Sequence, residues 1–172
     1  MHLQLCSCTI RSWQVSDAES LHRHADNRNV SKQLRDRFPY PYGIEQARLF
    51  LDFIARQPTP TVWAIDVDGE AVGGIGIEPD TDVERVSAEI GYWLGERFWG
   101  RGIATEALKA VTAEAFTRFD LTRLYAVPFA DHTASVRVLE KAGYVREGHL
   151  RRSAIKDGKV RDQFLFAAYK PL

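Results

Sequence analysis

The chain has 172 residues, 23 Lys+Arg against 23 Asp+Glu, and 45% apolar residues. That suits one domain, 1–172, with an ample core, and excludes a disordered chain or a whole-protein basic field for nucleic acid. The longest clean uncharged apolar run, Ala71 to Ile77, falls far short of the ~20 residues a membrane helix needs, and polar Gln4, Ser7 and Thr9 break up an N-terminus without a basic region. A soluble, cytoplasmic chain without membrane or nucleic-acid partners is expected.

Cys6 and Cys8 lie two apart near His2, but no second ligand cluster completes a metal site. Alternate residues of a strand share a face, so two small buried thiols are expected. A first strand is placed at Cys8 to Ser12. Ser16 and Glu19 form an S-x-x-E box opening a helix through about His24, and Asn27 to Leu34 adds a helical turn or two. Arg35 to Tyr42 (RDRFPYPY) reads as a loop. Ala47, Phe50, Leu51 and Ile54 recur at helical spacing and predict a helix from Ile44 to about Arg56.

Thr61 to Val67 and Ala71 to Ile77 flank Asp68-Gly69, a favoured hairpin turn. Ser87 to Leu94 (SAEIGYWL) is the next strand. A helix from Gly102 to about Phe119 carries Ile103, Ala107, Val111 and Ala115 on one stripe. Arg123 to Phe129 is a strand, and His132 to Ala142 a helix stopped by Gly143. Tyr144 to Arg152 and Val160 to Tyr169 close a second hairpin over Asp157-Gly158. The strand–helix–strand unit from Ile90 to Leu124 implies one parallel pair among antiparallel ones. The economical solution is a mixed α+β fold with helices on both faces of the sheet.

The stretch from Glu89 to Leu108 is the most informative. A strand ends, a loop carries Gly100 and Gly102, and a helix begins at once. The first N–H groups of that helix lack intrahelical partners and sit at the positive end of its dipole, which makes an anion cradle. A Walker loop, G-x-x-x-x-G-K-[ST], occurs nowhere. A dinucleotide fingerprint fails because Gly100-x-Gly102 reaches Thr105 at its third position, and Asp120 precedes the following strand, whereas a ribose-binding acid belongs after it. A plain strand–turn–helix joint would also use two glycines.

The pattern Arg97-x-x-Gly100-x-Gly102, with EIGYWL before it and WGRGIATEAL and ASVRVLEKAGY in order, resembles the GNAT acetyltransferases, in the branch of the ribosomal-protein N-terminal acetyltransferases (the Rim type). The resemblance spans nearly the whole chain. It implies a GNAT fold with a mixed, largely antiparallel six- to seven-stranded sheet and a parallel pair splayed near Trp93 and Val127. It implies acetyl-CoA as co-substrate, bound at Arg97, Trp99, Gly100, Arg101, Gly102, Ile103 and Ala104, with the pantetheine arm along Tyr92, Trp93 and Leu94. His132 stands where family members often have Asn, and Ser135 is a further cofactor contact. Leu139 stands where many members outside the Rim branch have a general-acid Tyr.

Acetyl transfer from a thioester to an amine needs a base, a hold on the oxyanion and a proton for the leaving thiolate. The resemblance points to Glu89 as base; Glu78 or an ordered water is the alternative, and outward alternation would leave Glu89 simply solvated. Ser135 is the candidate proton donor, although first-turn hydroxyls also bond nearby backbone. Arg137 and Lys141 share a helix face, either solvated or set to meet the 3′-phosphate. Arg28, Arg35, Arg37, Phe38, Tyr40 and Tyr42 form a charged aromatic stretch that builds the acceptor cleft in related proteins, or else packs on the core; Arg35, Phe38, Tyr40 and Tyr42 are taken as acceptor residues. The expected function is N-acetylation of a primary amine, first a protein N-terminus. A small-molecule acetyltransferase (amino sugar, polyamine or antibiotic) and a non-catalytic acyl-CoA-binding module are the alternatives. No metal is expected, and a homodimer is left open.

Overall fold

The computed structural model describes residues 1–171. The elements run β1 (His2–Gln4), β2 (Thr9–Arg11), α1 (Ala18–Ala25), α2 (Arg28–Ser31), α3 (Ile44–Ala55), β3 (Val62–Val67), β4 (Glu70–Pro79), β5 (Ser87–Leu94), α4 (Ile103–Arg118), β6 (Arg123–Ala126), α5 (Thr133–Lys141), β7 (Val145–Lys156) and β8 (Lys159–Tyr169). Short 3₁₀ turns lie at Val15–Asp17, Asp82–Glu84 and Glu96–Phe98. The strands form one mixed sheet in the order β1-β2-β3-β4-β5-β6-β8-β7. The expected mixed fold is present, with eight strands where six or seven were expected. The extra strand is β1, whose one apolar residue, Leu3, gives no period-2 pattern to read.

Two compact units divide the chain. The first comprises Met1–Gly76 and Tyr92–Ala107. Here β1 to β4 pair antiparallel, and β3 and β4 meet across Asp68-Gly69, both at positive φ (53° and 86°). Two left-handed residues in a two-residue loop match the twist of the strands they join. Ile10, Trp63, Ile65, Val72 and Ile75 are buried, while Leu21 and Ala25 of α1 pack with Ala47 and Leu51 of α3 and with Tyr42. Each large apolar side chain so covered contributes about 1.5–3 kcal/mol before entropy is counted.

Arg11 braces this unit. Its Nε donates to Asp66 at 2.7 Å, and Nη1 and Nη2 donate to the two oxygens of Asp17 at 2.8 Å each. Hydrogen bonding to Asp17, then Asp66, holds the guanidinium well above its usual range. Asp17 also accepts the Gln14 N–H at 2.8 Å, so the box that opens this helical segment is built on Gln14 and Asp17, each two residues before the expected Ser16 and Glu19. The reason is the Arg11 pair: a carboxylate can serve a buried guanidinium and an N-terminal N–H together.

The cysteine expectation is half corrected. Cys8 is buried, and burial first, then the Glu106 charge, pushes its thiol up to about 11. Cys6 is exposed, because Leu5 N–H bonds the Cys8 carbonyl and turns the chain between β1 and β2 there.

The second unit comprises Ile77–Gly91 and the chain from Leu108 onward. β5 and β6 are parallel, in register from Ser87 opposite Arg123 to Glu89 opposite Tyr125, while β5 continues to Leu94. β8 pairs antiparallel with both β6 and β7. Leu124, Leu139, Phe166 and Ala167 are buried. α5 stops at Gly143 (φ 90°), as expected, and Tyr144 follows with its hydroxyl 2.7 Å from Thr112 Oγ1.

β6 ends at Ala126, three residues before the expected Phe129. Pro128 has no N–H to give a ladder. Pairing resumes as a single bridge, Phe129 to Gln163, with the Gln163 amide donating to the Val127 carbonyl at 3.1 Å in place of a backbone N–H.

Candidate active site

The loop after β5 is built by short-range contacts within the first unit. Gly95 N–H donates to the Val72 carbonyl at 2.8 Å, and a Cβ at Gly95 would stand 2.9 Å from His24 Nδ1, so only glycine fits this turn. Phe98 N–H returns to Gly95 and Trp99 N–H to Glu96. The Trp99 indole N–H then donates to the Leu94 carbonyl at 2.7 Å and folds the loop onto the strand end.

Gly100 and Gly102 have φ of 76° and 81°, and a Cβ on either would meet nothing within 4 Å. Backbone conformation demands glycine at both, and the space beside them is open for a ligand. The first helical bond of α4 runs from Glu106 N–H to the Gly102 carbonyl at 3.0 Å. The N–H groups of Ile103, Ala104 and Thr105 therefore precede the ladder and face the helix N-terminus.

Arg97 and Arg101 are exposed, and Arg101 lies over the Phe98 ring, 5.2 Å from its centroid. Donors, open space and cations together fit a diphosphate. The acid of this first turn, Glu106, is bound elsewhere. Its carboxylate accepts the N–H groups of Cys6 (2.8 Å) and Ser7 (2.9 Å) and the Ser7 hydroxyl, and these bonds hold it below the usual carboxylate range. Sequence reading missed this tie between residues a hundred positions apart.

Two of the expected cofactor residues are thus tied to each other: the Leu94 carbonyl and the Trp99 N–H are both used inside the chain. Trp93 packs against Phe38 with ring centroids 5.3 Å apart, and Phe38 against Tyr42 at 4.9 Å. A Cβ at Gly74 would stand 2.8 Å from Trp93 Nε1, so that glycine admits the indole. The RDRFPYPY stretch therefore meets the strand through Phe38. Tyr42 is buried, its hydroxyl pushed up to about 12 by that burial, and its N–H donates to Asp26 Oδ1 at 2.9 Å. Tyr40 is exposed beneath the Arg28 guanidinium, and Arg35 is exposed. Sequence reading missed Trp13, whose ring meets Phe50 edge-on at 5.8 Å beside this aromatic group.

Glu89, His132 and Ser135 belong to the second unit. Alternation along β5 and β6 puts Glu89 on one face with Ser87, Arg123 and Tyr125. The Tyr125 hydroxyl donates to Asp80 Oδ1 at 3.0 Å; burial first, then Asp80 and Glu89, pushes it up to about 12. Arg123 stacks on Tyr125 and pairs with Glu147. Glu89 thus stands in a network of charges and not on a bare solvated face. His132 precedes α5, its N–H on the Phe129 carbonyl at 2.9 Å, and Ser135 lies in the first turn, half-buried. Leu139 is fully buried packing. Glu78, Arg137 and Lys141 are exposed. Among the described residues no group of three or more His, Cys, Asp and Glu side chains could hold a metal ion, and no helix is long and apolar enough to cross a membrane.

Comparison with known proteins accords with this geometry. The model of a family described as an acetyltransferase (GNAT) domain matches residues 8–145. Uncharacterized N-acetyltransferase p20 of Bacillus licheniformis is 28% identical over 94% of this chain and 92% of its own length. Spermidine N(1)-acetyltransferase of Escherichia coli (strain K12) is 24% identical over 91% of this chain and 82% of its own. The structure of Mycobacterium smegmatis RimJ in complex with CoA-disulfide aligns with a TM-score of 0.82 at 29% identity, covering 94% of this chain and 81% of that one. The match runs through the glycine loop and most of the chain around it, so this protein belongs to the GNAT acetyltransferase family and is an acyltransferase.

Proposed function

We propose that this chain transfers the acetyl group of acetyl-CoA to a primary amine, first among them a protein N-terminus. The observation that carries the reading is the open N-terminus of α4, with two positive-φ glycines beside unfilled space. There the diphosphate of coenzyme A is held by backbone N–H groups between Arg97 and Ala104, and the pantetheine arm runs along Tyr92 and Trp93. Glu89 takes the proton of the attacking amine, directly or through water, with Glu78 the alternative. The amine nitrogen bonds the thioester carbon, the C–S bond breaks, and the thiolate takes a proton from Ser135. The scheme treats 1–172 as one functional domain, and a cytoplasmic site of action suits the cofactor.

The Rim-type segments and the RimJ likeness favour a peptide N-terminus. A polyamine acceptor is the second reading, favoured by the spermidine acetyltransferase relative. Incubation with acetyl-CoA and a panel of N-terminal peptides, polyamines and amino sugars, read by mass spectrometry, tests both. Acetylated peptides support the first reading. Turnover confined to small amines overturns the N-terminal assignment, and no turnover with any acceptor overturns the catalytic one.

A further inference from the structure

The junction of α1 and α2 holds the base of the glycine loop. Asn27 caps α2: its Oδ1 accepts the N–H groups of Asn29 at 2.7 Å and Val30 at 3.4 Å. With that oxygen engaged, its Nδ2 donates to Glu96 Oε2 at 2.7 Å. Asn29 Nδ2 donates to the other carboxylate oxygen, Oε1, at 2.9 Å, and Asn29 Oδ1 accepts from Lys32 Nζ at 2.7 Å. Two amides from one segment thus take one oxygen each of a single carboxylate, which fixes both its place and its plane.

Glu96 is where the loop turns: its carbonyl accepts the Trp99 N–H, and Arg97 to Gly102 follow. The same junction touches the loop again through His24, whose ring meets Phe98 edge-on at 5.5 Å, beneath the residue that carries Arg101. It also holds the aromatic stretch, through Asp26 and His22 on the two backbone groups of Tyr42.

We propose that Asn27 and Asn29 are positioning residues for coenzyme A, acting through Glu96 to hold the loop in the conformation that presents its N–H groups to the diphosphate. The proposal rests on the acetyl-CoA reading above. Neither amide touches the cofactor. Their effect is confined to the part of the ligand the loop binds.

The test compares coenzyme A with pantetheine, which lacks the diphosphate and nucleotide, by calorimetry and ligand-observed NMR on the full chain. Asn29→Ala leaves the Asn27 cap in place. It is expected to weaken coenzyme A by about fivefold, as loss of one charge-assisted contact predicts, with pantetheine affinity and Tm unchanged. Glu96→Ala is expected to do at least as much, and the double variant no more than Glu96→Ala alone, since both remove one contact. Glu96→Gln, which keeps an oxygen for one amide, is expected to recover part of the loss. Wild-type coenzyme A affinity in folded Asn29→Ala overturns the proposal. So does equal weakening of both ligands with a lowered Tm, which marks a merely structural role. Failure of the unaltered chain to bind coenzyme A overturns the acetyl-CoA reading itself, and the brace with it.

Discussion

Glu89 and the two cysteines show how the setting of a residue decides its chemistry. Glu89 faces Arg123 and Tyr125 from β5, with Asp80 on the Tyr125 hydroxyl, so its charge belongs to a network that strand alternation alone did not reveal. If it is the base, Glu89→Gln lowers turnover by roughly 10²–10⁴ with coenzyme A affinity little changed. Steady-state kinetics across pH, with titration calorimetry, checks this, and unchanged turnover at saturation passes the role to Glu78 or water. Cys6 and Cys8 share a strand period but not a setting, because the β1–β2 turn exposes one and buries the other. Iodoacetamide is expected to label Cys6 in the folded protein and Cys8 only after unfolding, since reactivity follows the exposed thiolate. Equal labelling of both in the folded chain contradicts the turn as described.

At the scale of elements, two charged ties join segments far apart in the chain. Arg11 connects β2 to β3 and to the turn before α1 through Asp66 and Asp17, with its side chain 14% exposed. Removing Asp66 leaves Arg11 paired with Asp17 but its Nε without a partner in a largely covered site, so Asp66→Ala is expected to cost about 1–3 kcal/mol in denaturant unfolding. A cost below 1 kcal/mol means that the pair is screened by water. Glu106 ties α4 to the β1–β2 turn, and its folded-state pKa lies below its usual 4.5. A depressed carboxylate contributes stability in full above that usual value and loses it as pH falls through the folded one. Glu106→Gln is therefore expected to lower Tm at pH 7 and to narrow the gap to wild type as the solution is acidified. A gap independent of pH contradicts the assignment. Periodicity made α3, α4 and β5 legible, and turn chemistry made both Asp-Gly hairpins legible. What it could not supply is partners: Glu106 with Ser7, Gln163 with Val127, and Asn29 with Glu96 depend on tertiary proximity, which no local pattern encodes.

For the molecule as a whole, the strand–loop–helix joint proposed as the phosphate cradle was the most legible feature, because a strand end, two glycines and a helix start are contiguous in sequence. The stretch proposed for the acceptor was legible only as composition. Phe38 reaches Trp93, but Tyr42 is core and Tyr40 is exposed, a division that aromatic content cannot make. The central claim is that the backbone between Arg97 and Ala104 holds the diphosphate of acetyl-CoA. Gly102 sits at φ 81° with nothing within 4 Å of an added Cβ, so valine there strains the backbone and intrudes on the ligand's space without striking the protein. Losing two charge-assisted hydrogen bonds of about 1.5–3 kcal/mol each weakens binding by about a hundredfold or more. The most direct measurement is calorimetric titration of acetyl-CoA into wild type and Gly102→Val, each confirmed folded. The account predicts binding by the wild type and a loss of about a hundredfold or more in the variant. Wild-type affinity in a folded Gly102→Val protein, or no binding by the wild type, contradicts it.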